Sequence, residues 1–441
     1  MPEDSMNTAA VKELLDLTDK GRVKQTKRNC VTVFENDPLL KNAIRHNILT
    51  GRTDIVKSLG WERLSDTVTD TDMSRLFLYF EDKYDITNEK NIERALQIIA
   101  DMNRYHPIRD YLNSLVWDGQ ERIRHVLHRY LGADESNLTC ESLKLFMLGA
   151  IKRVFEPGCK FETMLCLVGG QGAGKSSFFR LLAHKDEWFS DDLRKLEDDN
   201  IYRKLQGHWI IEMSEMIATA NAKSIEEIKS FISRQKETYK VPYETHPADR
   251  PRQCVFGGTS NNTTFLPFDR TGNRRFIPVM TDTLQAEKHI LEDEAEARAY
   301  IDQMWAEAMT IYRSGAYSLK LSPDMENAMR DYQQGFMRED TVAGQIQAFL
   351  DDYKGDAVCT LLLYREALGH QFEKPKSYEL SELNDIMRNS VIGWTEGKLK
   401  RFAVYGAQRS WVRTDVNEPV NEVVQESLWT ELTDDDDELP F

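Results

Sequence analysis

Long apolar runs are missing from this 441-residue sequence. No stretch of about 18 consecutive apolar residues occurs, which argues against a helical membrane span, and the opening Met1-Pro2-Glu3-Asp4-Ser5 is too polar for a secretory leader. Cysteine is scarce and scattered: the six (Cys30, Cys140, Cys159, Cys166, Cys254, Cys359) include no C-x-x-C pair. That pattern offers no zinc site and predicts reduced, mostly buried thiols. Positive charge is in deficit too, with a formal net charge of -16. Such a balance ordinarily argues against nucleic acid as a partner, but the acids concentrate between Glu292 and Glu296 and at the extreme C-terminus, while bases gather in particular loops. Local charge therefore decides. The expectation is a soluble, cytoplasmic chain with no membrane contact, long enough for two to four domains.

What is present is a glycine-rich turn in the right setting. Gly169-Gly170-Gln171-Gly172-Ala173-Gly174-Lys175-Ser176 follows the apolar run Met164 to Val168, which reads as a buried strand, and precedes Ser177-Phe178-Phe179-Arg180-Leu181-Leu182, which reads as a helix. Glycines let successive amides point inward at phosphate oxygens, and a helix N-terminus favours the anion. In such a loop Lys175 reaches the β and γ phosphates and the Ser176 hydroxyl holds Mg²⁺, with Ser177 completing the cradle. The sequence thus predicts ATP and Mg²⁺ as cofactors.

Two further strand ends carry polar groups. Gly207-His208-Trp209-Ile210-Ile211-Glu212-Met213-Ser214-Glu215 reads as a buried strand ending in acid. Glu212 is the better candidate to order the Mg²⁺ shell or orient an attacking water. Glu215 either shares that task or starts a helix, where the dipole favours it. Gln253 to Thr259 reads as a third strand delivering Asn261 to the same edge, where an amide can touch both the γ phosphate and a water. The turn Gly272-Asn273-Arg274-Arg275-Phe276 follows, and Arg274 and Arg275 suit charge neutralisation on a phosphoryl group held by a neighbouring subunit. Between Glu215 and Asn261, the cations Lys229, Arg234, Lys236 and Lys240 alternate with Tyr239 and Tyr243, offering phosphate contacts and ring faces for stacked bases.

Together Pro157-Gly158-Cys159-Lys160, the glycine-rich turn, Trp209 to Glu215, Pro251 to Phe256 and Gly272 to Phe276 resemble the virulence-associated E family, and Tyr111-Leu112-Asn113-Ser114-Leu115-Val116-Trp117-Asp118-Gly119 fits its pattern. The resemblance is strong over about residues 100 to 280. It implies a P-loop ATPase of mobile elements and phages, similar to superfamily-3 replicative helicases, in which the Lys229 to Tyr243 segment takes the place of a DNA-contacting loop in a ring channel. It further implies single-stranded or forked DNA as partner, a hexameric homo-oligomer, and priming by a separate primase, because the N-terminal region is too short to hold one.

The expected fold class is α/β: a P-loop, AAA+-like ATPase core at 136–315, a mostly helical accessory region at 1–135, a winged-helix-like domain at 316–430 and an acidic docking tail at 431–441. The winged-helix expectation rests on helices followed by short strands and on Lys398 to Arg413, which holds five basic residues and no acid. The final Asp434-Asp435-Asp436-Asp437-Glu438-Leu439-Pro440-Phe441 resembles the tip of bacterial single-stranded-DNA-binding proteins, implying that Leu439, Pro440 and Phe441 dock on host replication proteins. The function expected is an ATP-dependent DNA helicase or translocase serving replication of a phage, plasmid or integrated element. Two rivals stand beside it: a nucleotide-gated adaptor that sequesters host proteins through the tail without unwinding, and a P-loop kinase of small molecules, against which the Gly272-Asn273-Arg274-Arg275 turn and the terminal docking signal argue.

Overall fold

The computed structural model describes residues 7–193, 204–215, 222–239, 248–266, 273–337 and 341–414. The chain divides into two compact units, Met1–Arg338 and Glu339–Phe441.

The first unit begins with helices α1 (Thr8–Glu13), α2 (Lys27–Asn36), α3 (Asp70–Tyr84) and α4 (Glu89–Met102). They pack their apolar stripes, including Val33, Phe34, Leu76, Phe80, Ile92 and Ile99, into one cluster. Thr69 starts α3 through a reciprocal capping box with Asp72, which satisfies amides that the first helical turn leaves bare. The expectation of a mostly helical region needs one addition: a small sheet of β1 (Ile44–Asn47), β2 (Arg52–Ile55) and β3 (Arg104–Tyr105) in the order β2-β1-β3. Strands of two to four residues are too short to print a period-2 pattern.

Helices α5 (Pro107–Ser114) and α6 (Val126–Leu131) then join the core of the following sheet. Ile108, Leu112, Val126 and Leu127 share a cluster with Leu143 and Phe146 of α7 (Asn137–Phe155). The α/β body therefore takes in residues from 107 onward, upstream of the expected start at 136. Its sheet is wholly parallel: β4 (Met164–Val168), β5 (Phe189–Ser190), β6 (Ile210–Ser214), β9 (Val255–Ser260) and β10 (Phe276–Met280) lie in the order β10-β4-β9-β6-β5. Between β6 and β9 come helix α9 (Ala222–Ser233) and an antiparallel hairpin, β7 (Lys236–Tyr239) and β8 (Ala248–Pro251).

Both faces of the parallel sheet are buried, and strand alternation distributes the side chains. Leu165 and Leu167 face the cluster with α7, with α8 (Lys175–Leu182) and with α10 (Glu294–Ser314). Met164, Cys166 and Val168 face the cluster containing Ile225, Ile228 and Phe231 of α9. Two indoles lock the first face. Trp209, just ahead of β6, and Trp305 of α10 stack at 4.4 Å. The Trp209 Nε1–H donates to Ala150 of α7 and the Trp305 Nε1–H to Leu182 at the end of α8, so neither buried ring leaves a donor unmet. Gly257 of β9 permits the close approach of α8, because a Cβ there would lie 2.5 Å from the Phe179 ring.

Helix α11 (Pro323–Gln334), expected in the C-terminal domain, belongs to this first unit. Gln333 donates to the carbonyls of Asn273 and Phe276, and Leu266 bridges to Met337. The boundary accordingly falls at 338/339, since the Gln333 side-chain amide ties the helix to the start of β10. The second unit runs helix α12 (Thr341–Asp352), strand β11 (Ala357–Val358), a helical turn, helix α13 (Ser377–Asn389) and the hairpin β12 (Trp394–Phe402) and β13 (Gly406–Arg413). Its sheet is antiparallel in the order β11-β13-β12, over a core that includes Ile346, Leu350, Leu363, Leu383 and Ile386.

His106 links the N-terminal region to the sheet. Its Nδ1 accepts the Arg109 N–H at 3.3 Å, so Nε2 carries the proton and donates to Gln253 Oε1 at 2.7 Å. Burial pushes its pKa down from 6.5 to about 4. The unfolded chain then binds a proton that the folded chain refuses, so this contribution to stability is present above pH 6.5 and is lost as pH falls towards about 4. Urea unfolding across that window should show a shallower fall for His106→Gln than for the wild type; equal slopes would contradict the assignment.

Candidate functional site

The C-terminal edge of the parallel sheet collects the groups singled out from sequence. Strand β4 ends at Val168 and the chain turns through Gly169 to Gly174 into α8. Gly172 and Gly174 adopt φ of 81° and 80°, a region in which a Cβ is strained. A Cβ on Gly170 or Gly172 would meet nothing within 4 Å, whereas Gly169 lies against Thr281 and Gly174 against Ile290 and His289. The turn is thus anchored at its ends and open over its middle. Gln171 is exposed and Ala173 buried.

Lys175 opens α8 with only 7% of its surface exposed. Its ammonium donates to Gly169 O at 2.8 Å, Gly170 O at 2.7 Å and Asn261 Oδ1 at 3.0 Å. All three N–H donors are therefore engaged by the turn and by the end of β9. Burial lowers its pKa, against the opposing charges of Glu215 and Glu212.

Glu212, in the middle of β6, is 1% exposed. Its Oε1 accepts the Ser176 hydroxyl at 2.7 Å and also the Thr259 hydroxyl. Its Oε2 is buried and has no hydrogen-bond partner. Leaving a buried carboxylate oxygen bare is costly, and the group placed beside it is the exposed Ser176 hydroxyl. A hard cation takes oxygen ligands of this kind. Among the described residues no group of three or more His, Cys, Asp or Glu could hold a metal by protein ligands alone, so a cation here would complete its shell with water or a bound anion.

Glu215 sits just past β6 in the left-handed region at φ 53°. Its Oε1 accepts the Asn261 N–H at 2.7 Å, and its own N–H donates to Thr259 O at 2.9 Å. It ties the ends of β6 and β9 together and so fixes where Asn261 meets Lys175. Thr259 was missed from sequence. It lies on β9, which pairs in parallel with β6, two residues beyond Gly257 opposite Glu212, and alternation along the strand is the signal that could have found it.

The remaining cations lie elsewhere. Arg274 and Arg275 precede β10, and β10 runs parallel to β4 with Phe276 opposite Met164 and Met280 opposite Val168. They are level with the start of β4, at the sheet edge opposite the glycine turn, roughly 16 Å away by strand rise. One chain does not bring them to its own turn. Arg274 contacts Glu162 at 3.2 Å, and Arg275 contacts Glu162 at 3.6 Å and Ser233 at 2.9 Å. Arg275 lines a cleft of about 670 Å³ together with Lys160, Glu162, Ser233, Gln235 and Lys236. Lys236 is exposed and paired with Asp249, and Arg234 is exposed near Glu237. Lys229 does not stand with them: it is 3% exposed in α9, with its ammonium on Glu226. Tyr239 belongs to β7. Lys240 and Tyr243, like Leu439, Pro440 and Phe441, lie outside the described residues.

A model of the virulence-associated protein E-like domain matches residues 112–338. That is more than half of the chain, which belongs to this family. No curated protein matches the sequence. Solved structures to which the chain is similar include the apo structure of the NrS-1 C-terminal region (305–718), at TM-score 0.46 and 15% identity over 87% of this chain and 99% of that one. An A-form apo structure of the same region gives 0.46 and 14%, over 84% and 96%. No helix among the described residues is long and apolar enough to cross a membrane.

Glu212→Gln keeps an acceptor for Ser176 and Thr259 while removing a buried charge with a bare oxygen. It should raise the unfolding free energy by about 1 kcal/mol, read from urea denaturation. A loss of that size would mean that the charged carboxylate is stabilised by its two hydroxyl partners and needs nothing further.

Proposed function

We propose that this chain is an ATP-dependent DNA translocase or helicase acting in the replication of a phage, plasmid or integrated mobile element, and that it works as a ring. The observation that carries the reading is the cluster at one sheet edge: a turn open over its middle, a buried lysine on its carbonyls, and a buried carboxylate with one bare oxygen beside an exposed serine hydroxyl. Triphosphate binding fits the strand–turn–helix geometry, with the amides of 169–177 and the Lys175 ammonium on the phosphates. Ser176 and Glu212 would hold Mg²⁺, which supplies charge neutralisation on the β and γ phosphates when bound.

In this mechanism Lys175 exchanges the Gly169 and Gly170 carbonyls for phosphate oxygens and keeps its bond to Asn261. Asn261 then reports the presence of the γ phosphate to β9, and Glu215 holds its backbone steady. Strand β9, inserted between β4 and β6, is the arrangement expected of an AAA+-like core. The remoteness of Arg274 and Arg275 from their own turn fits a finger supplied to the adjacent subunit. The β7–β8 hairpin, with Arg234 and Lys236 exposed at its base, supports a role in DNA contact on that opposite edge.

Lys175→Ala should abolish DNA-stimulated ATP turnover while leaving the fold intact, and retained turnover would refute the triphosphate site. Nucleotide binding without turnover in the wild type would instead favour a nucleotide-gated adaptor. Arg275→Ala should also be inactive alone, yet mixing it with Lys175→Ala should restore part of the turnover, because mixed rings pair an intact turn with an intact finger. Absence of any rescue would contradict a finger in trans.

A further inference from the structure

We propose that the β12–β13 arm of the second unit grips the groove of double-stranded DNA, with Lys398, Lys400 and Arg401 on the phosphates and the turn at Val404 reaching the base edges. This does not depend on ATP hydrolysis and uses residues of the second unit alone.

The outer part of the arm is a two-stranded ribbon, held to its own unit through Phe402 and Tyr405, which pack against the core, and through the Tyr405 hydroxyl, which donates to Glu366. Strand β11 pairs with β13 only at Ala357–Val412 and Val358–Trp411. From Leu399–Arg409 to Phe402–Gly406 the hairpin continues as two strands alone. A two-stranded ribbon of this kind is narrow enough for the major groove of B-form DNA, about 12 Å wide. Leu399 and Val404 are 72% and 78% exposed, so the arm carries apolar surface into solvent where it can contact thymine methyls or base edges.

The basic residues of the arm separate into two groups. Arg413 is structural: its guanidinium donates to the carbonyls of Leu350 and Tyr353 and lies 5.0 Å over the Trp394 ring. Arg409 is paired with Glu396 at 3.1 Å. Lys398, Lys400 and Arg401 are exposed and make no ion pair among the described residues. Lys400 and Arg401 are consecutive in a strand and so project to opposite faces. Positive charge on both faces of one ribbon is what two phosphate backbones flanking a groove require, in a chain whose overall charge would repel them.

The register reinforces this reading. Strand β12 carries one extra residue between Glu396 and Leu399, a bulge that re-aims the strand beyond it. Gly397 makes the bulge possible, because a Cβ there would lie 2.6 Å from Ser410 Oγ and 2.9 Å from Val412 Cγ1. Single-stranded DNA is the poorer fit, since it is held by stacking on open rings. Trp394 and Trp411 are core residues, 7% and 3% exposed, and Phe402 and Tyr405 pack against the same core.

The test measures binding of the full chain to a blunt DNA duplex, to a single strand of the same sequence and to an A-form RNA duplex, by fluorescence anisotropy over a salt series. The triple variant Lys398→Gln/Lys400→Gln/Arg401→Gln should bind duplex DNA on the order of tenfold or more weakly, with the log–log salt slope reduced by roughly 2.7, from about 0.9 per phosphate contact. Single-strand binding should be unchanged. Lys398→Arg/Lys400→Arg should keep wild-type duplex affinity, which separates loss of charge from loss of fold. Unchanged duplex affinity in the triple variant, an equal loss on single strands, or equal wild-type affinity for the RNA duplex would each overturn the proposal. Lys175→Ala should bind duplex DNA as the wild type does, so a failure of the ATPase reading leaves this result interpretable.

Discussion

The structure turns on one buried carboxylate. Glu212 is buried in the parallel sheet, and its Oε1 is met by two hydroxyls while its Oε2 meets none. Desolvating a carboxylate costs several kcal/mol unless it is well paired. In our proposal that bare oxygen is kept for a cation that the protein itself does not supply. The rest of the first unit can be understood as the scaffold that holds this group against Ser176 and Lys175.

That scaffold works through strand order and two indoles. Inserting β9 between β4 and β6 puts Thr259 next to Glu212 and lets Asn261 reach Lys175 across one strand. The Trp209–Trp305 stack then fixes α8, which carries Lys175 and Ser176, relative to β6, which carries Glu212. Large buried aromatic pairs of this kind contribute several kcal/mol through area alone, and their N–H groups tether α7 and α8 to the same point. Positioning of the polar cluster and stability of the core are therefore one problem with one solution.

Much of this was legible in the sequence, because the strands of the parallel sheet are short apolar runs with polar residues at their C-terminal ends. Glu212 and Asn261 were readable for that reason, and the glycine turn because its flanking strand and helix are strongly patterned. Those same segments also carried the resemblance to the virulence-associated protein E-like family, to which the chain belongs. Less legible were long-range facts. Nothing local in Lys229 shows that α9 turns it inward onto Glu226. Nothing near Trp394 or Trp411 distinguishes a core ring from a surface one. The small β1-β2-β3 sheet and the attachment of α11 to β10 arise from pairings between distant segments, which periodicity does not record.

In our proposal Glu212 and Ser176 together complete a cation site that receives a triphosphate. The most direct measurement is a crystal structure with Mn²⁺ and a non-hydrolysable ATP analogue, using the anomalous signal of manganese. A single strong peak is expected between the Ser176 hydroxyl and the Glu212 carboxylate, with the triphosphate over Gly170 to Gly174. Nucleotide bound away from the turn, or manganese bound with Glu212 still facing only Ser176 and Thr259, would contradict it.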